Sequence, residues 1–588
     1  MKQFFKFFTA SCLGTIVALS LIILIGSVWI GMISSKKPKI GSKTVLELDL
    51  SQQIPEMTDN VASDQFDFEG KEYPGLRTIK RAIAHAADDP KIEGIIITSK
   101  SVPVGQATLL ELVTAVEEFK ESGKFVYAYA DYYTQSGYLM AATADSVFLN
   151  PNGMIELVGF GSLVPFFKPL MDKVGFKFDI YYAGKFKSST EPFRLTSMSK
   201  PNKIQTKAFL NDMFDVYLEK LSSLRNIDKA TLDGIVSDFG GRTDDLCLEN
   251  NLVDKLLYAN EFKAIVRDRI GIKENKKIKK LSIGKYLDRI ELSEGEGENK
   301  IAIIYAEGEV GYNNDAEGNI DDIRYLKLFE RLKRKDDIKA IVLRVNSPGG
   351  SALTSDIIWN EIEELKRDSI PIITSMGDYA ASGGYYIACN SDVIVASPNT
   401  LTGSIGVFSM LPNLKDMMNN KVGIQFDTVK THDFALMNSF VYDPNSREAK
   451  IMQESTDDLY LQFLNRVAEG RGMTEAEVDS IAQGRVWSGI EAKEIGLVDE
   501  LGDLEYAIKL AAETAGIEEY KIVEYPSIEE DPFKAIIKAF NQNSDASFNP
   551  YQVKTEKGRR LLQSVRDMER VLEMDKPMAR MPYNIIYQ

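Results

Sequence analysis

The chain has 588 residues, 44% of them hydrophobic and 27% charged, a globular composition on a length that exceeds one core. A formal charge of −16 argues against a nucleic-acid partner, because phosphate binding needs a basic surface. Of three cysteines, Cys12 lies in an apolar N-terminal run, and Cys247 and Cys389 alone make no disulfide framework.

No charged residue appears from Phe7 to Ile33, a run bracketed by Lys2 and Lys6 before it and Lys36 and Lys37 after it. About 20 apolar residues cross a bilayer, so residues 1–36 are expected to form a short cytoplasmic stub and an uncleaved transmembrane signal anchor held in lipid. No small-x-small cleavage site follows, although a cleaved signal peptide is the alternative. The flanking positive charges nearly balance, and the very short stub makes the rest of the chain the translocated part.

Beyond the anchor the chain repeats itself. Lys91-Ile-Glu-Gly-Ile-Ile-Ile97 parallels Asp337-Ile-Lys-Ala-Ile-Val-Leu343, and Asp145-Ser-Val-Phe-Leu-Asn-Pro-Asn152 parallels Asp392-Val-Ile-Val-Ala-Ser-Pro-Asn399. Lys173-Val-Gly-Phe-Lys-Phe-Asp179 parallels Lys421-Val-Gly-Ile-Gln-Phe-Asp427. The offset drifts only from 246 to 248 residues, which marks a tandem duplication. The charged stretch Ile278 to Lys300 reads as the join. The copies are therefore placed at 37–294 and 295–540, with a tail at 541–588 that has a helical pattern from Thr555 to Met574.

Each copy alternates short β-branched runs with helical patterns. Ile341 to Val345 reads as a buried strand, Thr354 to Leu365 as a helix and Ile370 to Ser375 as the next strand. Such alternation predicts an α/β fold of right-handed βαβ units on a mostly parallel sheet, with sites at the carboxyl ends of strands. Both Asn346-Ser-Pro-Gly-Gly350 and Met376-Gly-Asp-Tyr-Ala-Ala-Ser382-Gly-Gly-Tyr385 follow strands and should share one rim. Ser382, among small residues and before two glycines, is the candidate nucleophile, provided a base takes its proton.

The chain contains two histidines. His85 falls in a surface-helix pattern and is expected to be solvated; His432 falls in a polar loop. A Ser-His-Asp triad and a histidine-based metal site are thus disfavoured, and lysine is the remaining base.

At this point the sequence resembles the signal peptide peptidase A family of serine proteases in its long, two-copy form. The resemblance rests on Asn346-Ser-Pro-Gly-Gly-Ser351, Ala381-Ser382-Gly-Gly-Tyr385, Leu401-Thr-Gly-Ser-Ile-Gly406 and Gly184-Lys-Phe-Lys187-Ser-Ser-Thr-Glu-Pro-Phe193, in order and correctly spaced. It implies a tandem ClpP/crotonase-like fold with Ser382 as nucleophile, Lys187 from the other copy as general base and Ser404 holding the lysine amine. It implies no metal or other cofactor. The implied partners are cleaved signal peptides and other apolar peptides, and the implied assembly is a homotetramer. The implied location is the bacterial inner membrane, single-pass, with catalytic domains on the periplasmic side. Lys185 is then a solvated neighbour.

The duplication checks this assignment internally. Lys187 aligns with Ala435, so the second copy has no lysine there. Ser136 aligns with Ser382, but the first copy reads Ser136-Gly-Tyr138 and Ser101-Val-Pro-Val104 where the second has its paired glycines. One site per chain is the economical reading, with Gly349, Gly350 and Gly383 as oxyanion donors because glycine permits close approach. A lysine of ordinary pKa, about 10.4, is neutral only about once in two thousand at pH 7. Lys187 must therefore lie in a largely apolar pocket that lowers this value. A crotonase-type acyl-CoA enzyme and a non-catalytic membrane scaffold are the alternatives.

Overall fold

The computed structural model describes residues 39–60, 73–312 and 319–526, together with the backbone of 578–580. The apolar run from Phe7 to Ile33 and the helical pattern from Thr555 to Met574 lie outside these residues. Among the described residues no helix is long and apolar enough to cross a membrane.

The first half supplies β1 (Thr44–Leu48), β2 (Ile92–Ile97), β3 (Phe125–Thr134), β4 (Ser146–Glu156), β5 (Lys177–Ala183), β6 (Lys255–Leu256) and β7 (Lys279–Ser282). Six of these form a parallel sheet in the order β6-β4-β3-β2-β1-β7. The second half supplies β8 (Lys300–Glu307), β9 (Val310–Gly311), β10 (Ile320–Asp321), β11 (Ile338–Ser347), β12 (Gly349–Ser351), β13 (Ile372–Ala381), β14 (Val393–Ala396), β15 (Leu401–Gly403), β16 (Val407–Asn413), β17 (Val486–Ser488), β18 (Glu500–Leu501) and β19 (Lys521–Tyr525). Its sheet runs β18-β14-β13-β11-β8-β19 in parallel, the same order as the first, with β15 and β17 added beside the end of β13.

Both sheets are covered on two faces, which is why their strands read as near-continuous apolar runs. In β8, Ile301 to Ala306 are all buried. One face of the second sheet packs on the helices Asp322–Leu332, Ala352–Arg367 and Ser446–Arg471; the other packs on Leu504–Ala515. The strand and helix expected at 341–365 are found as β11 and Ala352–Arg367, each a few residues longer than its periodicity suggests. Cys247 and Cys389 are free and buried. His85 is half-buried rather than solvated: its Nδ1 lies 2.7 Å from the hydroxyl of Tyr286, a residue too distant in sequence for a helical pattern to reveal.

A third, mixed sheet joins the halves. Its order is β10-β9-β12-β20-β16-β5, where β20 is Met578–Arg580. β5 of the first half pairs antiparallel with β16 of the second along seven residues, Val407 on Ala183 through Asn413 on Lys177. β20 runs antiparallel to β12 and also pairs at Phe408. This sheet brings the segment after β5 against the carboxyl rim of the second parallel sheet.

Candidate active site

Lys187 sits in a turn just after β5, closed by its own N–H to the Gly184 carbonyl at 3.1 Å. The second half grips this turn directly. Phe186 N–H donates to the Gln483 carbonyl at 2.8 Å. Gln205 spans the junction, donating from Nε2 to the Phe186 carbonyl (3.1 Å) and Ser188 Oγ (3.0 Å) while its Oε1 accepts from Val486 N–H (3.1 Å). Such contact requires Gly484: a Cβ there would stand 2.6 Å from the backbone nitrogen and Cβ of Lys187.

Ser382 lies between the end of β13 and the helix Gly383–Ala388, with φ 56° and ψ −117°. Its N–H donates to the Gly403 carbonyl at 2.7 Å, and its carbonyl accepts from Tyr386 N–H at 2.9 Å. The backbone bonds turn the hydroxyl away from helix capping, and no cap bond forms to it. Ser404 follows β15, also with positive φ (51°), its N–H bound to the Arg485 carbonyl.

These three residues meet. Lys187 Nζ is 2.7 Å from Ser382 Oγ, 2.9 Å from the Ser404 carbonyl oxygen and 3.1 Å from Ser404 Oγ. All three are buried, Lys187 at 1% exposure. Burial alone holds the lysine amine well below its ordinary range, as the sequence-based argument required. The amine is thereby prepared to be neutral and to accept a proton at its contact with Ser382.

The glycine turn stands beside them. Gly349 has φ 100° and its N–H donates to Ser347 Oγ at 3.2 Å. Gly350 lies so close to β9 that a Cβ would meet the Val310 carbonyl oxygen at 2.0 Å. Gly383 opens the helix after Ser382, and Gly384 packs against the Ser347 carbonyl, where a Cβ would stand 2.7 Å away. β20 pairs along Gly349–Ser351, so an extended backbone fits on this strand.

The other candidates stay apart. Ser136 lies within the helix Gln135–Ala142, where its Oγ accepts from Val102 N–H at 3.1 Å and, among the described residues, no lysine amine bonds to it. Ala435 and His432 are exposed in a loop, and Lys185 is exposed over the Phe186 ring. Gln205 and the Gln483–Arg485 loop escape sequence reasoning because both act across the junction. The only local signal is the Gln483-Gly484 pair after a helix, which marks a turn but not its partner.

The model of peptidase family S49 matches residues 118–273 and 364–518, one stretch in each half. Protease 4 of Haemophilus influenzae is 33% identical over 445 residues, covering 73% of this chain and 71% of that protein. Protease 4 of Salmonella typhi is 33% identical over 460 residues, 76% and 74% of the two chains. The chloroplastic serine protease SPPA of Arabidopsis thaliana is 28% identical over 486 residues, 82% and 70%. A solved ClpP1 mutant from Listeria monocytogenes aligns with 35% of this chain and 94% of its own, at 15% identity and a TM-score of 0.23. The family match falls on both halves, and the curated relatives align across the junction that brings a serine and a buried lysine together: the chain belongs to peptidase family S49 and is a serine peptidase.

Proposed function

We propose that this peptidase works through a Ser-Lys dyad split between its two copies, with the division at 37–294 and 295–540. The carrying observation is the 2.7 Å contact between Lys187 Nζ and Ser382 Oγ inside a buried pocket. Neutral Lys187 takes the Ser382 proton as the oxygen attacks the scissile carbonyl carbon, and Ser404 fixes the amine during transfer. The N–H groups of Gly350 and Gly383 receive the oxyanion; Gly349, expected from the sequence as a third donor, directs its N–H to Ser347 Oγ and shapes the turn. The lysine ammonium then protonates the leaving amine; water, deprotonated by the same lysine, attacks the acyl carbon, and the ammonium returns that proton to Ser382 Oγ as the acid product leaves.

Substrates are extended apolar peptides, signal-peptide remnants foremost. Two observations support this: relatives include a putative signal peptide peptidase SppA of Enterococcus faecium, 33% identical over 240 residues, and β20 lies as an added strand between β12 and β16, backbone pairing of the kind by which extended peptides bind to sheets. In this reading residues 1–36 anchor a homotetramer in the bacterial inner membrane, catalytic domains outward.

Hydrolysis of an apolar fluorogenic peptide by wild type, Ser382→Ala and Lys187→Ala tests the dyad. Both variants are expected to lose at least about 1,000-fold in kcat/KM; substantial turnover by either one sinks the assignment.

A further inference from the structure

Behind the glycine turn lies a buried ionic cluster to which the proposed dyad gives no role. Arg344 on β11 is fully buried. Its Nε donates to Glu56 Oε2 at 2.8 Å, and its Nη2 donates to Glu56 Oε1 at 3.2 Å and Glu111 Oε1 at 2.8 Å. Glu111 also accepts from Lys80 Nζ at 2.9 Å, which reaches Asp503 at 2.7 Å. Glu56, Glu111 and Lys80 belong to the first half; Arg344 and Asp503 belong to the second. Breaking such a buried fork leaves an unpaired charge, so its geometry is strongly held.

One member of this cluster touches the catalytic framework. Glu56 Oε1 accepts from Asn346 Nδ2 at 3.0 Å, and Asn346 Oδ1 accepts from Tyr379 N–H at 3.1 Å. Asn346 stands where the pairing of β11 with β13 jumps, from Val345 on Met376 to Ser347 on Ala380. Residues 377–379 bulge out at this jump and are pinned on other sides as well. Thr400 Oγ1 donates to the Gly377 carbonyl at 2.7 Å, and the Asp378 carboxylate accepts from Ala107 N–H, Thr108 N–H and Thr108 Oγ1 of the first half. Gly377 must lack a side chain for this to close, since a Cβ would meet Glu56 Oε1 at 2.6 Å. Downstream of the jump, one strand runs on to Gly349-Gly350 and the other to Ser382.

We propose that Asn346, held by Glu56 from the first copy, is a positioning residue that sets the oxyanion turn against Ser382. The amide clamps the two strands across the jump, just before they pair again at Ser347 and Ala380. The carboxylate that orients it comes from the same half as Lys187, so base, nucleophile and oxyanion donors share one reference point. Misplacement by about 1 Å costs on the order of 100-fold in rate, and a clamp within a few residues of both groups controls displacements of that size. This inference rests on the Ser-Lys reading above.

The test uses the same peptide substrate, a peptide boronic acid that forms a tetrahedral adduct on serine, and a non-cleavable reduced-amide peptide. In Asn346→Ala, kcat is expected to fall at least 10-fold with KM within twofold. Affinity for the boronic acid should fall in proportion, and affinity for the reduced-amide peptide should stay within twofold. General loosening would not separate the two ligands in this way. A kcat within twofold of wild type, or equal losses for both ligands, overturns the proposal. Asn346→Asp keeps the acceptor for Tyr379 N–H but sets a second carboxylate against Glu56 Oε1, and is expected to show the same pattern of loss. That variant decides the matter alone if Asn346→Ala does not fold, and a kcat within twofold of wild type in Asn346→Asp overturns the proposal. Ser382→Ala separates the two levels: an active Ser382→Ala defeats the dyad itself, while an inactive one beside a fully active Asn346→Ala defeats only the positioning role.

Discussion

Ser382 holds φ 56° and ψ −117°, a backbone region that favours glycine and costs other residues about 1–3 kcal/mol. Ser382→Gly should therefore be more stable than Ser382→Ala by about 1 kcal/mol in urea denaturation, both being inactive; a less stable glycine variant would remove strain from the account. Lys187 makes a second claim at this scale. Its native pKa is depressed, so between that value and the unfolded one, about 10.4, the unfolded chain binds a proton that the native chain lacks. Stability from this residue is thus lost as pH falls toward the native pKa, and kcat/KM should rise with pH through the same value and level off well below pH 10. Comparing pH–rate profiles, and urea midpoints of wild type and Lys187→Met across pH, checks both; an acid limb centred near 10 would mean that the amine is not desolvated. Ser382, Lys187 and Ser404 were legible in the sequence through their motifs. Glu56 was not, because a glutamate in the stretch Ser51 to Asn60 carries no periodicity or motif, and its partners lie nearly 300 residues away, Arg344 at a separation of 288.

Among elements, the loop Gln483–Arg485 packs directly on Lys187 and fixes its placement. Gly484→Ala would drive a Cβ to 2.6 Å from Lys187 Cβ at a backbone φ of +75°, so Lys187 must move. We expect kcat to fall at least 10-fold, with Nζ displaced from Ser382 in a crystal structure. Gly423→Ala is the control: it shares a positive φ, +85°, but a Cβ there meets nothing within 4 Å, and kcat should be unchanged. Equal kcat in the two variants would show that the contact with Lys187 does not matter. The strands of the two parallel sheets were legible because burial on both faces makes them continuous apolar runs. The mixed sheet was not: β12 is only three residues long, and β5 meets β16 by pairing Ala183 with Val407, 224 residues further on, a non-local pairing that no local propensity encodes.

Over the whole molecule, the internal repeat announced two α/β copies, found as two parallel sheets of the same order, and the proposed split of function between them follows from which copy kept which residue. What the repeat could not announce was how the copies dock, since docking depends on unlike residues: Arg77 of the first half binds Glu505 and Glu524 of the second, and Ser488 Oγ donates to Asp212 at 2.7 Å. These contacts predict that a chain cut in the join near Ser293 still works. Each half expressed alone should be inactive, the two mixed should hydrolyse peptide, and activity per mole should fall on dilution as the halves part. Turnover by either half alone would refute a divided site. Duplication ordinarily leaves a spare, so that damage to one copy is sheltered by the other. With Ser136 locked in a helix and Ala435 exposed in a loop, the divided site we propose leaves neither half able to cover for the other, and the chain then carries the mutational target of two domains for the output of one site.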